Sequence, residues 1–236
     1  MAKVASLPPK VVQVRHSLVK IRNLAVHIMI DLHKVFLYRM MHIENIPRVV
    51  IHGLTHRNSP NRNPDFIPIG DSELISKRAE YPLFNQTRPG DYTPFYFGPR
   101  MPMLYVIQRG FSGVATLSPE KIVYCVSSVA DVEACQSISF VFTNGYAFNG
   151  LSSCFTADRV DQIEQLIDWK AVRSKYWQDE NDLDLRRRME AEFLLPGDLP
   201  ASAIRGYVVH NKTAEDTLLQ LGATTETAII KPGFYF

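Results

Sequence analysis

The chain has 236 residues, 46% of them hydrophobic and 21% charged, with a net charge of +2 and a sequence pI near 8.4. That is the balance of a globular domain rather than a disordered polycation, so any nucleic-acid surface must come from local clustering of basic side chains. Three scattered cysteines (Cys125, Cys135, Cys154) exclude a disulfide framework and fit a reducing compartment, and His52 and His56 are separated by Gly53, against a helical metal site.

In chain order, residues 1–23 are basic, with Lys3, Lys10, Arg15, Lys20 and Arg22, and carry no secretory signal pattern. Leu24 to Tyr38 is apolar but interrupted by His27, Asp31, His33 and Lys34, and it is shorter than the ~20 residues of a bilayer span. It is expected to be an amphipathic helix on a cytoplasmic, membrane-free protein. Val35 to His42 reads as a first strand, and Glu44 to His52 as a short helix that buries Ile46, Val49 and Val50 and stops at Gly53. Residues 53–71 are rich in Asn, Pro and Gly and form a loop of the length that is usually functional. Asp71 or Ser72 caps a helix through Leu74 to Arg78.

Asp91 to Phe97 is aromatic and strand-like, and Ile122 to Val126 and Phe140 to Phe142 are buried-strand runs. No comparable strand is read between Gly145 and Glu192. That stretch holds an amphipathic helix around Val160, Ile163, Leu166 and Ile167, then Trp177 and an acidic patch from Asp179 to Asp184. Glu190 to Leu195 is expected to be extended, which sends Glu190 and Glu192 to one face about 7 Å apart. Strand (Ile204 to Val209), helix (Thr213 to Leu221) and strand (Thr227 to Ile230) close the chain. Short strands with helices set between them, without a βαβ rhythm, predict an α+β fold.

GxSxG, Walker A, GxGxxG and HExxH motifs are all missing, and Cys125 inside an apolar strand reads as structural. Taken singly, His42 at a strand end, Arg78 after a long loop, Arg100 between prolines and the aromatics from Tyr92 to Phe97 are ordinary core or surface residues. Their order along the chain is distinctive. The segments are Tyr38-Arg39-Met40-Met41-His42-Ile43-Glu44-Asn45-Ile46-Pro47 with His52-Gly53-Leu54, and Glu73-Leu74-Ile75-Ser76-Lys77-Arg78-Ala79. They continue with Asp91 to Arg100 and Pro102-Met103-Leu104, Phe140-Val141-Phe142-Thr143, Ile167-Asp168-Trp169 and Ala191-Glu192-Phe193-Leu194.

In these segments, from about Leu37 to Phe236, the chain resembles the DarT family, the DNA ADP-ribosyltransferase toxins of DarTG toxin–antitoxin systems. The resemblance implies an ADP-ribosyltransferase-like fold in which two small β-sheets form a cleft for NAD. It implies one domain over residues 37–236, preceded by an extension over residues 1–36. Glu192 would be the catalytic glutamate, Arg78 would serve both NAD and the acceptor proton, and His42, Ile43, Glu44 and Gly53 would line the NAD pocket. The implied substrates are NAD and a nucleobase in single-stranded DNA, thymine favoured, with no metal. Guanine, RNA or protein as acceptor, or a non-enzymatic nucleic-acid-binding module, are the alternatives. The implied partner is a macrodomain-type, DarG-like antitoxin, with the chain itself a monomer. Acceptor contacts are expected from Glu190, Tyr176, Trp177, Arg186, Arg187 and Arg188. Where the family tends to show an acidic residue and a histidine, this chain has Thr143-Asn144-Gly145-Tyr146-Ala147, and Glu190 stands where glutamine is frequent.

Overall fold

A computed structural model describes residues 30–80, 88–135 and 139–236, apart from the side chains of residues 78–80 and 89. The basic N-terminal stretch and most of the expected first helix lie outside the described residues. The described end of that segment is a 3-10 turn, Leu32–Lys34, capped by Asp31, and not α-helix up to Tyr38. The reason lies in the alternation that follows: from Val35 onward the chain buries every second residue, which suits a sheet.

Eight strands are β1 (Phe36–His42), β2 (Thr93–Tyr96), β3 (Ile122–Ser128), β4 (Val141–Thr143), β5 (Cys154–Thr156), β6 (Glu192–Leu195), β7 (Gly206–Val209) and β8 (Ala228–Ile230). The helices are α1 (Ile46–His52), α2 (Ser72–Glu80), α3 (Pro102–Arg109), α4 (Val129–Ala134), α5 (Ile163–Leu166), α6 (Trp169–Val172), α7 (Leu185–Met189) and α8 (Lys212–Gln220). The strands form one sheet in the order β5-β4-β6-β2-β1-β3-β7-β8. All pairings are antiparallel except β7–β8, whose parallel register requires the crossover that α8 provides. This terminal βαβ unit is one that the strand–helix rhythm did not announce.

The two expected sheets are the two halves of this one. β1 and β3 are in register from Phe36↔Ser128 to His42↔Ile122, whereas β1 and β2 share the single pair Tyr38↔Tyr96. Arg39 ties the seam where the strands part, its Nη1 donating to Pro94 O at 2.9 Å. One face of the sheet carries Leu37, Met41, Phe95, Val123, Phe193 and Leu195, packed with Ile46 and Val49 of α1 and Leu218 of α8. The other face carries Tyr96, Tyr124 and Val208 and packs Leu104 and Ile107 of α3 and Tyr235. Alternate residues on one strand thus enter different cores, the consequence of the two-residue period.

Two elements lie outside the sequence expectation. α3 begins at Pro102, whose fixed φ suits a first turn, and stops at Gly110 in the left-handed region (φ 70°). β5 is a three-residue edge strand held against β4, too short to show a pattern of its own. Among the described residues no helix is long and apolar enough to cross a membrane.

Candidate active site

Glu192 opens β6 and is fully buried. A carboxylate taken out of water must be held by donors, and here Ala147 N–H donates to its Oε1 at 3.0 Å. The backbone N–H of Glu192 donates to Thr143 Oγ1 at 3.1 Å, and that hydroxyl donates to Gly145 O at 2.6 Å. Two short strands and the turn between them therefore aim one carboxylate. In register, Glu192 lies opposite Tyr96, which lies opposite Tyr38, so these three form a cross-strand row on one face. Cys154, opposite Thr143, is pushed up to about 12 by burial, with the Glu192 charge acting the same way. Burial likewise raises Cys125 to about 12. Both are thiols at neutral pH, which removes a cysteine nucleophile.

The turn that supplies Ala147 N–H also brings Tyr146 and Phe148 together, their rings stacked at 5.7 Å with an interplanar angle of 22°. These aromatics and Thr143 were not singled out as site residues by sequence. The only signal was negative: this turn is where the chain departs from the family pattern.

His42 ends β1 with 6% exposure, and its Nδ1 accepts from Glu44 N–H at 3.3 Å. Burial holds it below the usual imidazole range, Lys121 pushes the same way, and Glu44 opposes them. The ring is therefore neutral at pH 7, with its proton on Nε2, because Nδ1 is used as an acceptor. Ile43 is buried beneath it, and Glu44 is exposed. Asn45, buried at 1% exposure, was not among the expected site residues. Its carboxamide accepts from Ile67 N–H and donates to Ile67 O, both at 2.9 Å, which pins the 53–71 loop to α1.

Under that loop is a pocket lined by Arg39, Asn45, Arg48, Gly53, Thr55 and Asn63 among others, with no carboxylate in its lining. Two guanidiniums and two carboxamides without an acidic counterpart suit an anionic dinucleotide, so the residues present fit NAD. Gly53 makes the adjoining corner: its φ is +76°, and a Cβ there would sit 2.0 Å from Leu199 O. Arg78 lies on α2, whose first turn is capped by Asp71 Oδ1 accepting from Glu73 N–H (2.8 Å) and Leu74 N–H (3.2 Å). The Arg78 side chain is outside the described residues.

The expected extension of Glu190 is corrected. Glu190 has φ −90° and ψ 28° and closes α7, so it does not alternate with Glu192 on one strand. The cause is the arginine run before it. Arg187 is bidentate to Asp184 at 2.7 Å on each arm, and Arg188 pairs with Asp168, Asp182 and Asp184. Those carboxylates wind residues 185–189 into a helix. They also occupy two of the three arginines expected on the acceptor side, while Arg186 is exposed. Trp177 packs against Tyr105 (5.0 Å) and Phe236 (5.5 Å), and Tyr176 is 63% exposed. Among the described residues no group of three or more His, Cys, Asp or Glu is placed to hold a metal ion.

Comparison with known proteins gives the same region a name. A family model described as "ssDNA thymidine ADP-ribosyltransferase, DarT" matches residues 38–236. A DNA ADP-ribosyl transferase of Escherichia coli O127:H6 is 34% identical over 191 residues, covering 80% of this chain and 84% of that protein. One from Thermus sp. 2.9 is 31% identical over 187 residues, covering 78% and 86%. The structure of Thermus sp. 2.9 DarT in complex with ADP-ribosylated ssDNA superposes with a TM-score of 0.73 at 27% identity, covering 86% of this chain and 96% of that one. The same protein in complex with NAD+ gives 0.69 at 28% identity, covering 86% and 98%. With the match running from Tyr38 to the last residue, over the whole sheet and the Glu192 turn, this chain belongs to the DarT family of NAD-dependent, single-stranded-DNA thymidine ADP-ribosyltransferases.

Proposed function

We propose that Glu192 is the catalytic carboxylate for transfer of ADP-ribose from NAD to a thymine base of single-stranded DNA. The observation that carries this reading is a fully buried glutamate at a strand start, held by Ala147 N–H and set in a row with Tyr96 and Tyr38. Breaking the bond from nicotinamide to ribose builds positive charge at the ribose C1′. A carboxylate that hydrogen-bonds the neighbouring 2′-OH binds that transition state more strongly than the ground state. In this reading the pocket of Arg39, Asn45, Arg48 and Gly53 holds the dinucleotide, and neutral His42 donates from Nε2. Arg78 approaches on α2, where a guanidinium stabilises negative charge on the base as its proton leaves. An unshifted guanidinium does not itself take that proton.

The acceptor side of the proposed site is the 144–152 turn. Trp177 is engaged in a cluster with Tyr105 and Phe236, whereas Tyr146 and Phe148 flank the N–H that fixes Glu192. Stacking on aromatic faces is worth about 1–3 kcal/mol per base. Phe148→Ala is therefore expected to weaken binding of a thymine-containing oligonucleotide roughly fivefold or more and to leave NAD affinity unchanged. Fluorescence anisotropy with the oligonucleotide checks this, and equal affinity for both proteins would place the base elsewhere.

Attack on a base edge requires that edge to be unpaired, and extrusion from a duplex costs a few kcal/mol. The expected result is labelling of a single-stranded oligonucleotide, with none in the stem of a hairpin of the same sequence. Mass spectrometry of nuclease digests after incubation with NAD reads the modified base directly. Equal modification of stem and loop, or labelling only of RNA or protein offered in parallel, would overturn the proposed acceptor.

A further reading concerns a partner. A Thermosipho africanus protein 22% identical to this chain is a fusion of a DNA ADP-ribosyl transferase with a DNA ADP-ribosyl glycohydrolase, and this chain covers 49% of it. That architecture supports a macrodomain-type antitoxin that removes the ADP-ribose this enzyme adds.

A further inference from the structure

The arginine run at 186–188 was expected to meet DNA phosphates, but the structure gives its middle member another task. We infer that Arg187 is a positioning residue: through Asp184 and the 144–152 turn it sets where Ala147 N–H holds the Glu192 carboxylate. This inference rests on Glu192 being the catalytic carboxylate.

The connection is continuous. The Arg187 side chain is 11% exposed, and its Nε and Nη2 donate to the two oxygens of Asp184, both at 2.7 Å. This bidentate pair fixes the guanidinium plane. The remaining arm, Nη1, donates to Ser152 Oγ at 3.2 Å and to Asn144 Oδ1 at 3.4 Å. The turn from Asn144 to Ser152 is thereby gripped at both ends. Its middle is held by the backbone of the same residue, since Tyr146 N–H donates to Arg187 O at 2.8 Å. The next N–H, that of Ala147, is the donor to Glu192 Oε1 at 3.0 Å.

Gly145 shows how close the fit is. A Cβ at that position would lie 2.4 Å from Arg187 Nη1 and 2.9 Å from Arg187 O, so a side chain there would displace the arm or the turn. Asp184 answers the same contact: the Arg187 hydrogen bond holds its carboxyl below the ordinary range, with burial acting against it. A DNA phosphate would have to displace Asp184, Ser152 and Asn144 to reach this guanidinium. Lysine, with a point charge and no fork, cannot hold Asp184 and the turn together.

A double-mutant cycle on the full chain tests the link. Arg187→Lys is expected to lower kcat for transfer at saturating NAD by at least tenfold. NAD binding by calorimetry and the oligonucleotide KM should each stay within about twofold. In a Glu192→Gln background the same Arg187→Lys change should alter the residual single-turnover rate less than twofold, because the group it positions is gone. Ser152→Ala is the mild companion; it keeps the Asp184 pair, removes one grip on the turn and should cost about threefold.

An equal drop in both backgrounds would overturn the inference, since Arg187 would then act independently of Glu192. A raised oligonucleotide KM with a shallower salt dependence and unchanged kcat would put Arg187 on a phosphate instead. Unimpaired transfer by Glu192→Gln alone removes the underlying assignment of Glu192, a result distinct from additivity in the cycle.

Discussion

Glu192→Ala is expected to cut ADP-ribose transfer by two to three orders of magnitude while NAD affinity changes little. Removing one preorganised group aimed at developing charge costs about 3–4 kcal/mol of barrier in comparable sites. Glu192 is buried in a polar corner built by Thr143, Gly145 and Ala147 rather than in either large apolar core. Its truncation leaves Ala147 N–H without this acceptor, a penalty of about 1–3 kcal/mol in stability. The fold tolerates a loss of that size, because β6 keeps its pairing with β2 and β4 through Phe193 and Leu194. Calorimetric NAD titration and single-turnover labelling of an oligonucleotide measure the two quantities separately. Transfer within tenfold of the unmodified protein, or loss of NAD binding in parallel with rate, would contradict the assignment.

Gly53→Ala is expected to have the largest effect on stability. Its backbone is at φ +76°, and the added Cβ would meet three backbone atoms: Leu199 O at 2.0 Å, Ala201 N at 2.6 Å and the carbonyl carbon of Pro200 at 2.7 Å. None is the end of a flexible side chain, so α1 and the 199–201 segment must separate. That breaks the Leu54–Leu199 bridge, with hydrogen bonds of 2.9 and 2.8 Å, which closes the corner of the nucleotide pocket. Strain combined with backbone overlap belongs to the class of substitutions costing more than about 4 kcal/mol. At roughly 2–4 °C per kcal/mol for a chain of this size, Tm should fall by about 10 °C or more. Gly197→Ala and Gly233→Ala, where a Cβ meets nothing within 4 Å, should stay within about 0.5 kcal/mol of the unmodified protein. A Gly53→Ala protein that melts within 2 °C of those controls would show that this corner yields more readily than its geometry indicates.

The role of each strand was legible where the sequence alternates over enough residues. β1, β3 and β7 were read from their apolar rhythm, and α1 from buried positions ended by a glycine in a left-handed conformation. The segment from Asp91 to Leu104 carried the family resemblance most strongly, and it supplies Tyr96, the neighbour of Glu192 on β2. Short elements were not legible. β5 spans three residues and owes its existence to β4, and α3 follows a Pro-rich stretch that looks like a turn until Leu104 and Ile107 find the second core.

The sequence by itself determined the α+β class, the family and the identity of the catalytic candidate, since all three depend on residue types in a fixed order. Only the tertiary structure decided what the charged residues around Glu192 do. Three consecutive arginines look alike in sequence, but Asp168, Asp182 and Asp184 approach two of them in space and leave Arg186 exposed. Glu190 and Glu192 look like one strand face until α7 turns the first away from the ladder. A charge is committed by whichever opposite charge folding brings within a few ångströms, and at Arg188 that includes Asp168, twenty residues away along the chain.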